Sequence, residues 1–294
     1  MEKNWTLVIQ PHQKLWNVDF REIWRYRDLI SLFIKRNIIV QYKQTILGPL
    51  WFLIQPILTV IMNMVVFGGI AKMSTDGLPQ PLFYMAGNVC WFYFSDCLNQ
   101  TSNTFLANQA MFGKVYFPRL VVPISTVMSN LLRFGIQLML FVALYLYFFC
   151  QGTPLHFGML FPSAPVIVNV FVFVFVFVLL VIMLAGLGLG FGILISSMTT
   201  KYRDLTILFT FIVQLWMYAT PIVYPMSMVT NEKLRTIIML NPLSSVIETF
   251  KYAVFGEGYF SWLALGYSFT FMVVLLLLGI VIFNKVQRSF MDTV

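Results

Sequence analysis

Long apolar runs dominate the pattern of hydrophobic and polar positions along the chain. A helix needs about 20 mostly apolar residues to cross the hydrocarbon core of a bilayer. Runs of this length predict six transmembrane helices, and the pattern as a whole predicts an all-α, polytopic membrane protein. The predicted spans are 47–71, 82–106, 120–149, 164–197, 205–223 and 261–283.

The segment before the first run has a helical but non-spanning pattern. Between Phe20 and Ile39, apolar residues recur at helical intervals and charged residues fall on the opposite side. We predict an amphipathic helix in the membrane interface, with Trp24 and Tyr26 at headgroup level. A helix packed on another subunit is the alternative, and the two are compatible. The apolar positions are Phe20, Ile23, Trp24, Ile30 and Ile34, and the charged ones are Arg21, Arg25, Asp28 and Lys35.

The connection between the fifth and sixth runs, about 224–260, is too long for a plain loop. Two apolar-rich segments within it, 232–240 and 243–254, are too short to span. We predict two short re-entrant or interfacial helices separated by Asn241 and Pro242. Such backbone is tolerated at membrane depth only where protein buries it or where it lines a cavity, so the region is a candidate outer gate.

Two local patterns in the fourth run are explained by helix packing in a membrane. Residues 171–178 alternate Phe and Val, but both sets are apolar and the run is long, so a lipid-facing helix is predicted instead of a strand. The glycines that follow lack the G-x-G-x-x-G spacing of a dinucleotide loop. They form overlapping small-xxx-small pairs, which let helix backbones approach closely. They are Gly186, Gly188, Gly190 and Gly192.

The composition excludes an ordinary soluble enzyme. Of the 294 residues, 59% are hydrophobic and 10% are charged, whereas a soluble domain carries about 25% charged residues. A net charge of +8 would suggest a nucleic-acid partner in a soluble protein. Because the basic residues adjoin apolar runs, they indicate membrane topology instead, and no nucleic acid is predicted.

Lysine and arginine are unevenly distributed between the two sets of connections. Most of the 19 lie in the N-terminal segment, after the second and fourth runs, and in the tail. The positive-inside rule therefore predicts that both termini are cytoplasmic. The predicted organisation is a cytoplasmic segment over 1–46, a transmembrane domain over 47–283 and a cytoplasmic tail over 284–294.

Asp96 in the second run and Arg133 in the third are the ionisable candidates for mid-membrane. At 1.5 Å per residue, both lie about 15 to 20 Å from the cytoplasmic boundary, so the two can pair. An ion pair that satisfies two buried charges is favoured over a proton or ion relay, because arginine stays protonated.

The chain has no phosphate loop for ATP hydrolysis. The nearest match to G-x-x-x-x-G-K-[ST] is Gly113-Lys114, but Val115 follows and Asn108 replaces the first glycine. We therefore predict that this chain is not an enzyme, that it has no catalytic residues and that it holds no cofactor.

Histidine and cysteine give no indication of a metal site. His12 and His156 fall on opposite sides of the predicted membrane, so they cannot join in a triad or a metal cluster. Cys90, Cys97 and Cys150 lie in apolar runs without metal-ligand spacing. We expect these cysteines to be small buried hydrophobic residues and predict no metal.

Several motifs resemble a known membrane family. Residues 34–51, leading to Gln55-Pro56, resemble the signature entering the first span of ABC-2 type polysaccharide-export permeases. These are the membrane subunits of O-antigen, capsule and teichoic-acid exporters, and the lead-in at 24–29 most resembles the O-antigen branch. Further similar stretches follow in order at 87–94, 114–119, 202–205, 215–225, 241–242 and 288–292.

Four positions depart from the family pattern. Asn37 replaces the usual Asp, Gln41 and Lys251 replace Arg, and Arg133 replaces Asp. The change at Arg133 reverses a charge, which Asp96 would compensate.

The resemblance implies a homodimer of this chain with two copies of a separate nucleotide-binding subunit, which would hold ATP and Mg. The assembly would sit in the bacterial inner membrane and export lipid-linked polysaccharide for lipopolysaccharide biosynthesis. In the family, the N-terminal helix and the connection after the second span contact the ATPase. A plain turn whose charges satisfy the positive-inside rule is the alternative for that connection. The candidate coupling residues are Arg21, Arg25, Lys114, Val115, Tyr116, Phe117 and Arg119.

The family also places its first and fifth spans along the pore, where aromatic rings can stack on sugars. Lipid-facing or packing roles are the alternatives for each ring. Pro221 and Tyr224 join Asn241 and Pro242 as candidate outer-gate residues. Cations near the cytoplasmic leaflet would bind the carrier diphosphate. The candidate pore aromatics are Trp51, Phe52, Phe211, Trp216 and Tyr218, and the candidate carrier residues are Arg36, Lys43 and Arg119.

Other functions stay open at this point. Within the family, the cargo can be teichoic acid, a small glycolipid or a drug. Outside it, an ion-coupled flippase or a membrane glycosyltransferase is less favoured, because no spacing singles out a carboxylate pair among Glu232, Glu248 and Glu257.

Overall fold

The computed structural model of this chain describes residues 20–289, except 44, 113, 116, 154–157, 159, 161–164 and 203. Within this part the regular elements are helices, and no strand occurs among the described residues, which confirms the all-α prediction. The α-helices are α1 (Phe20–Arg25), α2 (Arg27–Tyr42), α3 (Trp51–Asn63), α4 (Gln80–Ser102), α5 (Thr104–Ala107), α6 (Gln109–Phe112), α7 (Val121–Cys150), α8 (Val166–Thr199), α9 (Leu205–Trp216), α10 (Glu232–Leu240), α11 (Pro242–Phe255) and α12 (Trp262–Ser289).

Four helical segments of the described residues are long and apolar enough to cross a membrane. They match the first, third, fourth and sixth predicted spans, whereas the count of six stays a prediction. The first is composite, because a 3₁₀ turn (Gly48–Leu50) precedes α3 and a π-helical stretch (Met64–Ile70) follows it. The four segments are Gly48–Ile70, Val121–Cys150, Ile167–Thr199 and Trp262–Val286.

The second predicted span, α4, is long enough to cross but is more polar than the other four. It packs against both α7 and α8, and most of its side chains are buried, including the polar Asn88 and Thr101. Neighbouring helices therefore replace lipid around α4. A helix in this central position does not need an apolar surface on every side.

The fifth predicted span is shorter than expected. The helix α9 ends at Trp216, so the prediction of a helix to residue 223 is wrong. Its 12 residues extend about 18 Å, against a hydrocarbon core of about 30 Å. Pro221 explains the early end, because proline has no N–H to donate and disfavours helical backbone in the residue before it.

The spans run alternately between two ends of the bundle. We define the basal end by α2, α5 and α6, and the distal end by α10 and α11. From the basal end α3 runs to the distal end, and the chain returns through α4. The helix α7 then runs to the distal end, and α8 returns to the basal end. The segment that begins with α9 leads to α10 and α11 at the distal end, and α12 returns the chain to the basal end.

Glycines on two faces of α8 bring three helices together, as the small-xxx-small pattern predicted. A Cβ added at Gly188 would lie 2.7 Å from Cys97 Cβ on α4, and one at Gly190 would lie 2.9 Å from Leu275 on α12. Gly186 and Gly192 likewise face Met272 and Thr101. The glycines therefore let α8 pack closely against α4 and α12.

The N-terminal helix differs from its prediction in two respects. It is broken at Tyr26 into α1 and α2, and the face that packs on the bundle carries Tyr26, Leu29, Ile30 and Phe33. Trp24 is instead 71% exposed. The buried anchor is therefore Phe33, which the predicted apolar face omitted, and the headgroup-level position of Trp24 stays a prediction.

Candidate functional site

The basal surface carries the candidate coupling residues in two environments. Arg21 and Arg25 on α1 are exposed, as are Lys114 and Val115 in the connection between α6 and α7. In contrast, Phe117 in the same connection is buried. The structure therefore presents part of the set to a partner and uses Phe117 to anchor the connection. Tyr116 lies outside the described residues.

Phe117 reaches the N-terminal helix through an aromatic contact that the sequence analysis missed. Its ring centroid lies 5.9 Å from that of Phe33 on α2 and 5.8 Å from that of Phe112 on α6. The signal for Phe33 was present, because it follows Tyr26, Leu29 and Ile30 at helical spacing. The two candidate ATPase-contact elements are therefore packed together.

The three candidate carrier-binding cations are not equally accessible. Lys43 is exposed, and the Arg36 guanidinium lies 4.7 Å from the ring centroid of Phe33 and donates to Asn37 Oδ1 at 3.3 Å. Arg119 is buried, and its guanidinium lies 5.3 Å from the ring centroid of Phe112. Burial lowers the pKa of Arg119 below its ordinary value. The expectation that Arg119 is open to a diphosphate, or to a partner, is therefore corrected.

Asp96 and Arg133 are brought together between α4 and α7. Arg133 Nη1 donates to Asp96 Oδ2 at 2.6 Å, and the guanidinium lies 4.5 Å from the ring centroid of Phe52. Phe52 is in the first turn of α3, and α4 ends at Ser102, six residues or about 9 Å beyond Asp96. The predicted pairing is therefore present, and the depth of the pair in the membrane stays a prediction.

The candidate pore aromatics divide into exposed and buried rings. Trp51, Phe211 and Tyr218 are exposed in the single chain. Phe52 is covered by Arg133, so it is a packing residue and not an open pore residue. Trp216 is partly buried, and its ring meets Phe94 and Phe191 edge to face, at centroid distances of 5.5 and 5.0 Å.

The exposed rings are part of a broad apolar surface on α3 and α9. On both helices, exposed apolar side chains follow one another along the length of the helix. Such a surface is compatible with lipid or with a second copy of the chain. The exposed residues are Ile57, Leu58, Ile61, Met62 and Val65 near or on α3, and Ile207, Leu208, Phe211, Ile212 and Leu215 on α9.

The two predicted distal helices are present, but their environments are opposite. All residues of α11 except Tyr252 are buried, against α12, α8 and α4. The helix α10 has no buried residue. Of the two, α10 is therefore the helix that can move without opening the core.

Asn241 and Pro242 set the join between these helices. Asn241 Oδ1 accepts a hydrogen bond from Leu243 N at 3.1 Å, so it caps the start of α11. Its Nδ2 donates to Thr220 Oγ1 at 2.9 Å, which links the cap to the end of the α9 segment. Pro242 occupies the first helical position, where its missing N–H costs nothing. Tyr224 is partly buried and packs against the main core.

A buried charge pair holds α11 in place, and the sequence analysis did not identify it. Glu248 and Lys251 are 1% and 2% exposed, and Lys251 Nζ lies 3.6 Å from Glu248 Oε1. Lys251 Nζ also donates to the Pro221 carbonyl at 2.6 Å and lies 4.0 Å from the ring centroid of Phe83. Glu248 Oε2 accepts a hydrogen bond from Tyr259 N at 3.3 Å.

The i,i+3 spacing of these two residues in an apolar helix was the available signal. Burial raises the pKa of Glu248, and burial lowers that of Lys251, while each charge opposes the shift of the other. The arrangement can join α11 to the end of the fifth predicted span and to the start of α12. It offers no reactive group to a substrate.

Two of the cysteines are buried as expected, but Cys150 is exposed at the distal end of α7. Among the described residues, no cluster of three or more His, Cys, Asp or Glu side chains could hold a metal ion. His12 and His156 lie outside the described residues.

Most of the length of this chain is similar to known proteins of one kind. A family model described as ABC-2 type transporter matches residues 28–255. The O-antigen export system permease protein RfbA of Myxococcus xanthus is 25% identical over 238 residues, which cover 81% of this chain and 84% of that protein. A protein of the same name from Klebsiella pneumoniae is 25% identical over 266 residues, or 90% of this chain and 94% of that protein. The polysialic acid transport protein KpsM of Escherichia coli is 28% identical over 116 residues, or 40% of this chain and 42% of that protein.

Proposed function

Because this chain belongs to the ABC-2 type transporter family, we propose that it is the permease subunit of an ABC transporter that exports lipid-linked polysaccharide of the O-antigen type. The observation that carries the proposal is its similarity to O-antigen export permeases over 81% to 90% of its length. The family model itself covers residues 28–255, from α2 to α11, so the family assignment does not depend on one motif.

The motor of this transporter is a separate subunit. The sequence has no phosphate loop, and family membership implies an ATPase partner. We propose two copies of that ATPase, each carrying its own ATP and Mg. They dock on the basal surface, which then faces the cytoplasm in the bacterial inner membrane together with both chain termini.

A homodimer of this chain provides the conduit. The exposed apolar faces of α3 and α9 are long enough to face the same surfaces of a second copy across a shared conduit. Because α9 alone is shorter than the hydrocarbon core, a partner helix beside it removes a gap in the bundle wall. Trp51, Phe211 and Tyr218 then lie along the route of the glycan, where C–H faces of sugars stack on their rings.

The distal segment closes the outer end of the route. The helix α11 is fixed in the core by Lys251 and Glu248, whereas α10 is exposed and joined to it at Asn241. We assign opening to α10, and the fixed wall to Asn241 and Pro242 at the start of α11 together with Pro221 and Tyr224. We propose that Lys43 and Arg36 at the basal end bind the carrier diphosphate.

Capsule-type polysaccharide is the second candidate cargo. It is favoured by the similarity to KpsM, which is named as a polysialic acid transport protein. That similarity covers 40% of this chain, against 81% to 90% for the O-antigen permeases, so O-antigen is the better supported cargo.

Deletion of the gene in its own host tests this assignment. We expect loss of O-antigen from the cell surface and accumulation of lipid-linked polysaccharide inside the cytoplasmic membrane, both reversed by a plasmid copy. Loss of capsule with intact O-antigen would transfer the assignment to the second cargo. Normal amounts of both polymers at the surface would contradict the proposal.

A further inference from the structure

Within the described part of the chain, a second core of eight buried residues lies at the basal end of the bundle, and five of them are phenylalanines. We call these five the phenylalanine block. They come from five parts of the chain, namely α2, α5, α6, the connection before α7, and α12, and none is more than 6% exposed. The block consists of Phe33, Phe105, Phe112, Phe117 and Phe283.

The rings of the block form one continuous series. Phe33 contacts Phe117, and Phe117 contacts Phe112, with centroids 5.9 and 5.8 Å apart. The centroid of Phe105 lies 6.0 Å from that of Phe112. On α12, Phe283 stacks on Phe105 at 4.6 Å and an interplanar angle of 27°. The series therefore joins the candidate ATPase-contact elements to the last span.

Hydroxyl side chains lie where the block adjoins the main core. Thr199 Oγ1 donates to the Ser102 carbonyl at 3.3 Å, and Phe105 N donates to Ser196 Oγ at 3.4 Å. Leu189 on α8 contacts both cores. Ile193 on α8 also belongs to the basal core, and both α8 and α12 carry buried residues of the two cores. Movement of the block is therefore passed to these helices instead of being absorbed between two loosely joined cores.

We propose that the phenylalanine block transmits movement of the ATPase-docking surface to α12, with the Phe105–Phe283 stack as the joint. The inference rests on the proposed function, since it requires an ATPase partner at the basal surface. Val115 is exposed two residues before Phe117, so displacement by a partner reaches the block directly. Close-packed interiors pass displacement on with little compression. Phe105 and Phe283 are thus positioning residues that contact no cargo.

The ratio of polysaccharide exported to ATP hydrolysed tests this role in the reconstituted permease–ATPase complex. Phe105→Leu and Phe283→Leu should each lower the ratio about two- to tenfold, which is the effect of losing one specific aromatic pair. The matched control is Phe255→Leu, since Phe255 is 2% exposed and its ring stacks on Tyr145 at 6.4 Å and 21° in the distal core. The control should keep the wild-type ratio.

The double variant gives a stricter test. Because both substitutions remove the same contact, Phe105→Leu with Phe283→Leu should lower the ratio no further than either change alone. An unchanged ratio in the single variants, an equal fall in Phe255→Leu, or losses that multiply in the double variant would each overturn the proposal.

Hydrogen exchange on the purified full chain separates this proposal from the proposed function. Phe105→Leu should speed amide exchange at residues 280–286 of α12 severalfold, while Phe255→Leu should leave these amides unchanged. If the wild-type complex hydrolyses ATP but exports no polysaccharide, the proposed function is wrong and this measurement alone decides the transmission role. Unchanged exchange in Phe105→Leu would then overturn it.

Discussion

The ammonium of Lys251 donates a 2.6 Å hydrogen bond to the carbonyl oxygen of Pro221, 30 residues earlier in the chain. This bond joins α11 to the segment that ends the fifth predicted span. The carbonyl is available because the backbone leaves helical geometry after Trp216. The early end of α9 therefore frees the carbonyl that the buried Lys251 of α11 binds.

The Lys251–Glu248 pair should be essential for the stability of the distal segment. Lys251→Met leaves the Glu248 carboxylate buried without its cation, so we expect a loss of about 3 to 5 kcal/mol in the free energy of unfolding. Adding Glu248→Gln should recover part of the loss, and Lys251→Arg should be tolerated better than Lys251→Met. Melting temperatures in detergent measure all three. Equal melting temperatures for wild type and Lys251→Met would refute a stabilising pair.

The Asp96–Arg133 pair should show pairwise coupling in a double-mutant cycle. Asp96→Ala removes the partner of a half-buried guanidinium, and we expect destabilisation of about 1 to 3 kcal/mol, between the values of exposed and buried pairs. Adding Arg133→Ala should partly restore stability. Strict additivity of the two changes would show that the 2.6 Å contact contributes nothing.

The close approach of α8 and α4 should make Gly188 intolerant of a methyl group. A Cβ there meets Cys97 Cβ at 2.7 Å and the Phe94 carbonyl oxygen at 3.0 Å, so Gly188→Ala must push the two helices apart. We expect a cost of about 1 to 3 kcal/mol. Gly135→Ala on α7 is the matched control, because nothing lies within 4 Å of its Cβ. A drop in melting temperature that is the same for both would contradict the packing role of Gly188.

Docking of an ATPase at the basal surface can be tested by reversing an exposed charge. Lys114→Glu should reduce the amount of co-purified ATPase about three- to tenfold without lowering the melting temperature of the permease. Lys233→Glu makes the same charge change on α10 at the distal end and should leave co-purification intact. If wild type, Lys114→Glu and Lys233→Glu co-purified equal amounts of the ATPase, Lys114 would not be part of the docking surface.

The exposed and covered pore candidates should respond differently to truncation. Tyr218 is exposed, so Tyr218→Ala should lower export while the melting temperature stays near that of wild type. Phe52 lies under the Arg133 guanidinium at 4.5 Å, so Phe52→Ala should cost about 3 to 5 kcal/mol of stability. If Tyr218→Ala lowered the melting temperature and Phe52→Ala lowered only export, the roles assigned to the two rings would be wrong.

Local sequence signals predicted the helices whose ends are fixed by capping residues at those ends. The segments expected at 232–240 and 243–254 are the helices Glu232–Leu240 and Pro242–Phe255. Asn231 and Asn241 cap their first turns, and Gly256 ends the second in left-handed backbone with a φ of 71°. The close packing at the α8 glycines could also be predicted, because each pair spaced four residues apart defines one face of the helix.

Features that depend on a distant partner could not be read from the pattern. Hydropathy marks α9 as apolar but does not reveal that Pro221 turns its carbonyl toward Lys251. Hydropathy also does not show that the ring of Phe117 covers Phe33, whereas Trp24 is exposed. Likewise, hydropathy does not show that Phe52 at the start of α3 packs under the Arg133 guanidinium.

Transport by the purified components tests the central claim most directly. The permease is reconstituted with its ATPase in vesicles, and movement of lipid-linked polysaccharide across the bilayer is followed with and without ATP. We predict ATP-dependent transport by the complex, and neither transport nor ATP hydrolysis by the permease alone. Transport or nucleotide hydrolysis by the permease without a partner would contradict the account.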